Sequence, residues 1–335
     1  MKPRTFFVAI ASTLVLGACG GGGASNGNTG STPVQTSALT PITASNSGKA
    51  AANGYAANTL IGESSSSVTG VLTGVSIGGT GISAAAPVIT LVKRAFGHAG
   101  TPLLSGVTIS EACSGGGTVT IDATLRNTQT ISSGDTMTVN AQNCVEDGNK
   151  LNGTLSIAFS NVSGDLINTS SGAATMDTRF TDFSIVDASE SATISGDMKI
   201  AFSVSGASIS AVTISGNSLQ TTAQKAGATA SLTLTDYVLT GSTNGVTTTG
   251  SANFTLSGNS SSLGQFAYTV KNLQPFVSTG TAMPASGSLI VNGAASSVTV
   301  TALGSNGVRL DYSAKGDGVI TQTVTLSWAE FVASL

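Results

Sequence analysis

Charge is sparse in this 335-residue chain: Asp, Glu, Lys and Arg make up only 9 % of it, against roughly 25 % in ordinary soluble domains. Lys and Arg (13) nearly balance Asp and Glu (16). No basic field gathers phosphates, which excludes nucleic acid as a partner. There is one histidine, His98, and one tryptophan, Trp328. A single histidine leaves a transition-metal site without a second imidazole, and three cysteines in all do not supply a thiolate cluster. Aromatics are 5 %, too few for the two girdles of a membrane-spanning β-barrel. Ser, Thr, Gly and Asn fill the polar positions instead.

The first eighteen residues have a different character. Lys2 and Arg4 precede an apolar run from Phe6 to Leu16, and small residues follow, ending at Cys19. This is the layout of an export signal. The apolar run is about half of the roughly 20 residues that a spanning helix needs. Leu16-Gly17-Ala18-Cys19 resembles the lipobox of bacterial lipoproteins. The resemblance implies cleavage before Cys19, a diacylglycerol on its sulfur and fatty acyl groups of the palmitate type, hence attachment to the membrane through lipid. The alternative is a non-lipid signal cleaved near Ala18. Gly20, where an Asp would resemble an inner-membrane retention signal, points to the outer membrane, on its periplasmic or cell-surface side. Two or three acyl chains hold firmly where one is marginal.

With Cys19 assigned to lipid, Cys113 and Cys144 are left as a pair in a disulfide-permissive compartment. A bridge closing about 30 residues stabilises by roughly 3 to 4 kcal/mol in the loop-entropy reading. Two separate buried thiols are the competing arrangement.

The expected organisation is a signal peptide at 1–18, a flexible Gly/Ser/Asn tether at 19–58 and one antiparallel β domain at 59–335. The tether is expected because residues 20–58 hold almost no large apolar side chain to offset ordering entropy. A short helix is expected at residues 87–96: Pro87 suits the first turn, Val88, Leu91, Val92, Ala95 and Phe96 share a face, and Gly97 follows. Elsewhere the period is two. Val119, Ile121, Ala123 and Leu125 alternate with polar residues. So do Leu155, Ile157 and Phe159, then Met198, Ile200, Phe202 and Val204, then Phe266, Tyr268 and Val270, and a last run through Ile320, Val324, Leu326 and Trp328. Turn signals separate the runs, among them Glu146-Asp147-Gly148-Asn149, Ser215-Gly216-Asn217, Ser257-Gly258-Asn259 and Lys315-Gly316-Asp317-Gly318. The fold class is therefore all-β, a large antiparallel meander forming a curved sheet or half-barrel, or else a sandwich. About a dozen strands are expected. Immunoglobulin-type signatures are absent, since Trp328 lies far from both cysteines.

Candidate chemistry is thin. Gly74-Val75-Ser76-Ile77-Gly78 matches G-x-S-x-G, but no acid lies between Ser76 and His98, so the order Ser, acid, His of a hydrolase triad is missing. His98 beside the expected helix end is better read as a dipole partner. Asp311 and Asp317 bracket a stretch containing Ala314 and Lys315, where calcium requires oxygens, so a hairpin turn is the reading. Glu146 and Asp147 are read as turn residues. No catalytic residue, metal ligand or cofactor is assigned. The pairing of Cys113-Ser114-Gly115-Gly116-Gly117 with Asn143-Cys144-Val145-Glu146-Asp147-Gly148, with Trp328-Ala329 near the end, is similar to a layout found among proteobacterial outer-membrane lipoproteins, and it implies no activity. The expected function is a lipid-anchored, non-enzymatic structural or interaction module of the cell envelope that meets other envelope proteins. The alternative is a carrier holding a lipid or other hydrophobic ligand in a curved sheet, with the helix at 87–96 as its lid.

Overall fold

The computed structural model describes residues 38–59, 106–126, 130–146, 148–165, 171–187, 190–205, 208–225, 228–260, 262–280 and 282–334. In chain order these form α1 (Ser47–Thr59), β1 (Val107–Ala112), β2 (Thr118–Thr124), β3 (Thr136–Glu146), β4 (Asn149–Asp165), β5 (Ser171–Val186), β6 (Glu190–Ser205) and β7 (Ser208–Lys225). There follow β8 (Ala228–Asn244), β9 (Thr247–Ser260), β10 (Gly264–Thr279), β11 (Ser286–Gly293), β12 (Ser296–Ala302), β13 (Val308–Ser313), β14 (Gln322–Leu326) and α2 (Trp328–Val332). The helix expected at residues 87–96 lies outside the described residues.

All fourteen strands belong to one sheet in sequential order from β1 to β14, each antiparallel to its neighbours. β1 and β14 are its two edges and the sheet does not close into a barrel. A single curved sheet thus replaces the sandwich alternative. Period two decides which face is dry. Phe159, Met176, Ile200, Ile214, Leu239 and Ala252 are successive cross-strand partners from β4 to β9, and all are buried. The neighbouring row runs Ser160, Thr175, Ala201, Thr213, Thr240, Ser251. One face is an apolar core and the other a lattice of small polar side chains.

The strands are longer than the turn signals suggest. β7 has 18 residues and β9 has 14, so Ser215-Gly216-Asn217 and Ser257-Gly258-Asn259 lie inside strands instead of ending them. Gly216 is required by close approach: a Cβ there would lie 2.4 Å from the Tyr237 hydroxyl and 2.6 Å from the Asp197 carbonyl oxygen. A glycine can mark backbone proximity as readily as a turn. The last expected run is also corrected: Ile320 is exposed in the turn before β14, while Trp328 opens α2.

Curvature comes from bulges. The pairing register shifts between Ala141 and Cys144, Asn152 and Thr154, Phe180 and Phe183, Gly196 and Lys199, and Thr235 and Val238. Asn143, Asp182 and Asp236 at these places have φ of +50°, +46° and +48°, a conformation that Asn and Asp tolerate better than most. Each bulge bends its strand and adds twist, and bulges on successive strands curl the sheet.

The second correction concerns the tether. Its final part, from residue 38 on, is folded and docked. Thr40 N donates to the Ala267 carbonyl at 2.9 Å, Ala294 N donates to the Thr40 carbonyl at 3.1 Å, Ile42 N donates to Ser296 Oγ at 2.7 Å, and the Tyr312 hydroxyl donates to the Ile42 carbonyl at 3.0 Å. α1 then packs against β9, β11, β12 and β13. Its buried side chains include Ala50, Ala51, Ala52 and Tyr55, and at Gly54 a Cβ would meet Val291 Cγ2 at 2.6 Å. The helix gains its contacts by lying close, which small residues permit and large ones forbid. Small residues carry little hydrophobic signal, which leaves the helix invisible to the apolar pattern. At its C-terminal end Tyr55 packs on Phe276, Trp328 and Phe331 at ring-centroid distances of 5.2, 5.4 and 5.5 Å, and burial pushes its phenol pKa up. α2 starts with a capping box: Ser327 Oγ accepts from Glu330 N at 3.2 Å, while Ser327 N donates to Glu330 Oε2 at 2.8 Å. These bonds from Ser327 hold the exposed Glu330 carboxyl below its usual range. All these elements belong to one compact unit.

Candidate functional site

The densest cluster of reactive side chains among the described residues lies where the β1–β2 turn meets the end of β3. The turn runs from Cys113 to Gly117. It closes on itself through Cys113 N donating to the Gly117 carbonyl at 3.1 Å and Gly116 N donating to the Cys113 carbonyl at 3.0 Å. It also pairs with β3: Gly115 N donates to the Val145 carbonyl and Val145 N to the Gly116 carbonyl, both at 2.9 Å. The run of three glycines has a reason. At Gly117, where φ is +75°, a Cβ would lie 1.9 Å from the Asn143 carbonyl oxygen, and at Gly115 it would lie 2.6 Å from Val145 Cγ1.

Cys113 and Cys144 are joined as a disulfide, with Cα atoms 5.3 Å apart and a sequence separation of 31. Both are buried. The bridge spans from the β1–β2 turn to β3, so it ties the edge hairpin to the third strand.

Glu146 departs from its reading as a turn residue. It is the last residue of β3 and only 2 % exposed. Ser114 N donates to its Oε1 at 3.0 Å and the Ser114 hydroxyl donates to its Oε2 at 2.8 Å. Both carboxyl oxygens accept from Ser114. The two sulfurs and a carboxylate oxygen all lie within 4.8 Å of one another. Sequence spacing hid this, because Ser114 and Glu146 are 32 residues apart and meet only through the turn.

The other acidic groups serve local structure. Asp311 accepts from Arg309 Nε and from the Thr323 hydroxyl, each at 2.8 Å. Asp317 accepts from the Ser313 hydroxyl at 3.2 Å and Val319 N at 2.9 Å, as a residue of the β13–β14 turn. The two carboxylates have separate partners and do not converge. Asp135, fully buried, accepts from Arg126 N at 2.9 Å and Ser132 N at 2.7 Å, which closes the connection before β3. On the outer face a shallow depression of about 250 Å³ is lined by Ala173, Thr175, Ser203 and Thr213 among others. It contains hydroxyls and methyls but no charge. On the inner face the hydroxyls of Thr178 and Tyr268 are buried without a hydrogen-bond partner, and burial raises the Tyr268 phenol pKa.

Cys19, the Ser76 motif and His98 lie outside the described residues. Among the described residues no helix is long and apolar enough to cross a membrane. No family model, curated protein or solved structure matches the chain.

Proposed function

We propose that the protein is a lipid-anchored component of the bacterial outer membrane whose β domain is a non-enzymatic structural or interaction module. The observation that carries the reading is the stretch Leu16-Gly17-Ala18-Cys19 after a short apolar run. The fold agrees with it in kind: a sheet that buries its apolar face in its own core turns a mainly Ser/Thr lattice outward, a contact surface with sparse charge such as the Asp177–Lys199 pair. Of the expected tether, residues 19–37 lie outside the described residues. Asp135, Asp317 and Glu330 serve turns and a cap, while Asp177 and Asp311 pair with Lys199 and Arg309, which supports a module over an enzyme.

Metabolic labelling of the full chain in a Gram-negative host with an alkyne analogue of palmitate tests the anchor. Label and membrane fractionation are expected in the native chain and absent after Cys19→Ala. A native chain without label, or a labelled variant, would overturn the reading.

A second reading, a carrier of a hydrophobic ligand, is favoured by the two partnerless hydroxyls of Thr178 and Tyr268 on the inner face. A buried hydroxyl without a partner costs about 1 to 3 kcal/mol, and the polar end of a ligand would remove that cost. On this reading, native mass spectrometry of the detergent-released chain shows a retained fatty-acid adduct that drops at least about tenfold in Tyr268→Phe, the factor that about 1.4 kcal/mol represents. No adduct on either protein removes the carrier.

A further inference from the structure

We infer that Cys113, Cys144 and Glu146 form a redox-gated site for a thiophilic divalent cation such as zinc, closed while the disulfide is intact and opened by a dithiol reductant. Three observations meet here. The ligand atoms are already gathered, with both sulfurs and a carboxylate oxygen within 4.8 Å of one another. Two thiolates on one tetrahedral ion, with metal–sulfur bonds near 2.3 Å, stand about 3.8 Å apart. The 5.3 Å separation of the Cα atoms allows that spacing through side-chain rotation.

The third donor is oriented in advance. Ser114 holds Glu146 through its backbone N–H and its hydroxyl, and such outer contacts fix the direction of a ligating carboxylate. An ion set between the sulfurs meets a carboxylate oxygen without any strand having to move.

The position of the cysteines does not depend on the bond between them. Gly115 N to the Val145 carbonyl, and Val145 N to the Gly116 carbonyl, clasp the turn to β3 on either side of the disulfide. Opening the bridge therefore leaves two buried thiols beside each other and beside a carboxylate.

The chemistry balances. One thiolate of the dithiol attacks a cysteine sulfur and forms a mixed disulfide, and its second thiolate displaces that sulfur as the reductant closes into its own cyclic disulfide. The two electrons end on Cys113 and Cys144, which take up two protons as thiols. Cation binding then releases those protons, since both sulfurs coordinate as thiolates. A water completes four-coordination.

The test uses the full chain under anaerobic conditions, with dithiothreitol as the dithiol, removed by gel filtration, and cobalt(II) chloride followed by zinc chloride as probes. Expected is one cobalt per reduced chain with a thiolate-to-cobalt charge-transfer band in the near ultraviolet, displaced by zinc, and no band on the oxidised chain. Glu146→Gln should weaken cobalt binding by at least about tenfold, the loss typical of a site deprived of an ordering or ligating carboxylate. Far-ultraviolet circular dichroism before and after reduction reports whether the turn holds. Absence of the band, unchanged affinity in Glu146→Gln, or loss of strand signal on reduction would each overturn the proposal.

Discussion

Phe331→Ala is expected to lower the unfolding free energy by about 4 kcal/mol, the range for removing a fully buried aromatic ring from a core. Phe331 has no exposed surface. Its ring packs on Tyr55 at 5.5 Å and on Trp328 at 6.2 Å, and Trp328 is further held by its indole N–H donating to the Gly304 carbonyl at 2.8 Å. The cluster therefore joins three pieces distant in sequence: α1, the 3-10 turn Gly304–Asn306 and α2. Truncating one ring leaves a cavity that its neighbours cannot collapse into, because two of them are fixed by the sheet and by a hydrogen bond. Urea denaturation followed by fluorescence of Trp328 measures the loss. Limited trypsin digestion gives a local readout, since Lys49 within α1 is held by its ammonium donating to the Ser262 carbonyl at 3.1 Å. Cleavage after Lys49 should accelerate in the variant. A loss below about 1 kcal/mol, as for a surface substitution, would mean that α1 and α2 do not brace each other.

Gly153→Ala is the second large effect, at about 3 kcal/mol or more. Gly153 has φ of +96°, and a Cβ there would stand 2.2 Å from the Asp182 carbonyl oxygen and 2.8 Å from Phe183 Cα. The conformational part is about 1 to 2 kcal/mol for an L side chain. The rest comes from pushing β5 away from β4 where Asp182, with φ of +46°, forms the facing bulge. Neither strand can yield cheaply, for each is paired on its other side as well. Gly148→Ala is the control: φ is +80° there, but nothing lies within 4 Å, so only the conformational part applies and the cost is about 1 kcal/mol. Thermal unfolding of the two variants separates strain from collision. Equal costs would show that the bulge line is not what sets the spacing of β4 and β5.

These effects bear on how the fold was legible. Runs such as Val119, Ile121 and Ala123, or Met198, Ile200 and Phe202, could be assigned to a buried face from spacing alone, because period two is a local property of the strand. The Cys113–Cys144 pair was legible as a remainder once Cys19 was set aside. Reading Glu146 as a turn residue failed for a physical reason: a carboxylate next to Asp147-Gly148 looks solvated until a serine 32 residues away supplies two donors. Gly216 and Gly258 were read as turns because glycine's freedom is visible in a sequence and the backbone pressing against it is not. α1 was missed because Ala50, Ala51, Ala52 and Gly54 are a poor hydrophobic signal, though they permit the closest approach to a sheet.

By itself the sequence determined an all-β chain with one dry and one polar face and strands joined in order by short turns. Each of these follows from residues within a few positions of one another. The tertiary structure alone decided that there is one open sheet, that its curl follows a line of bulges, that residues 38–59 belong to the domain, and that a carboxylate sits beside the disulfide. Those depend on what lies across a strand pair or beneath a helix, up to 270 residues away in the bond from Tyr312 to Ile42, and no local pattern encodes the identity of so distant a neighbour.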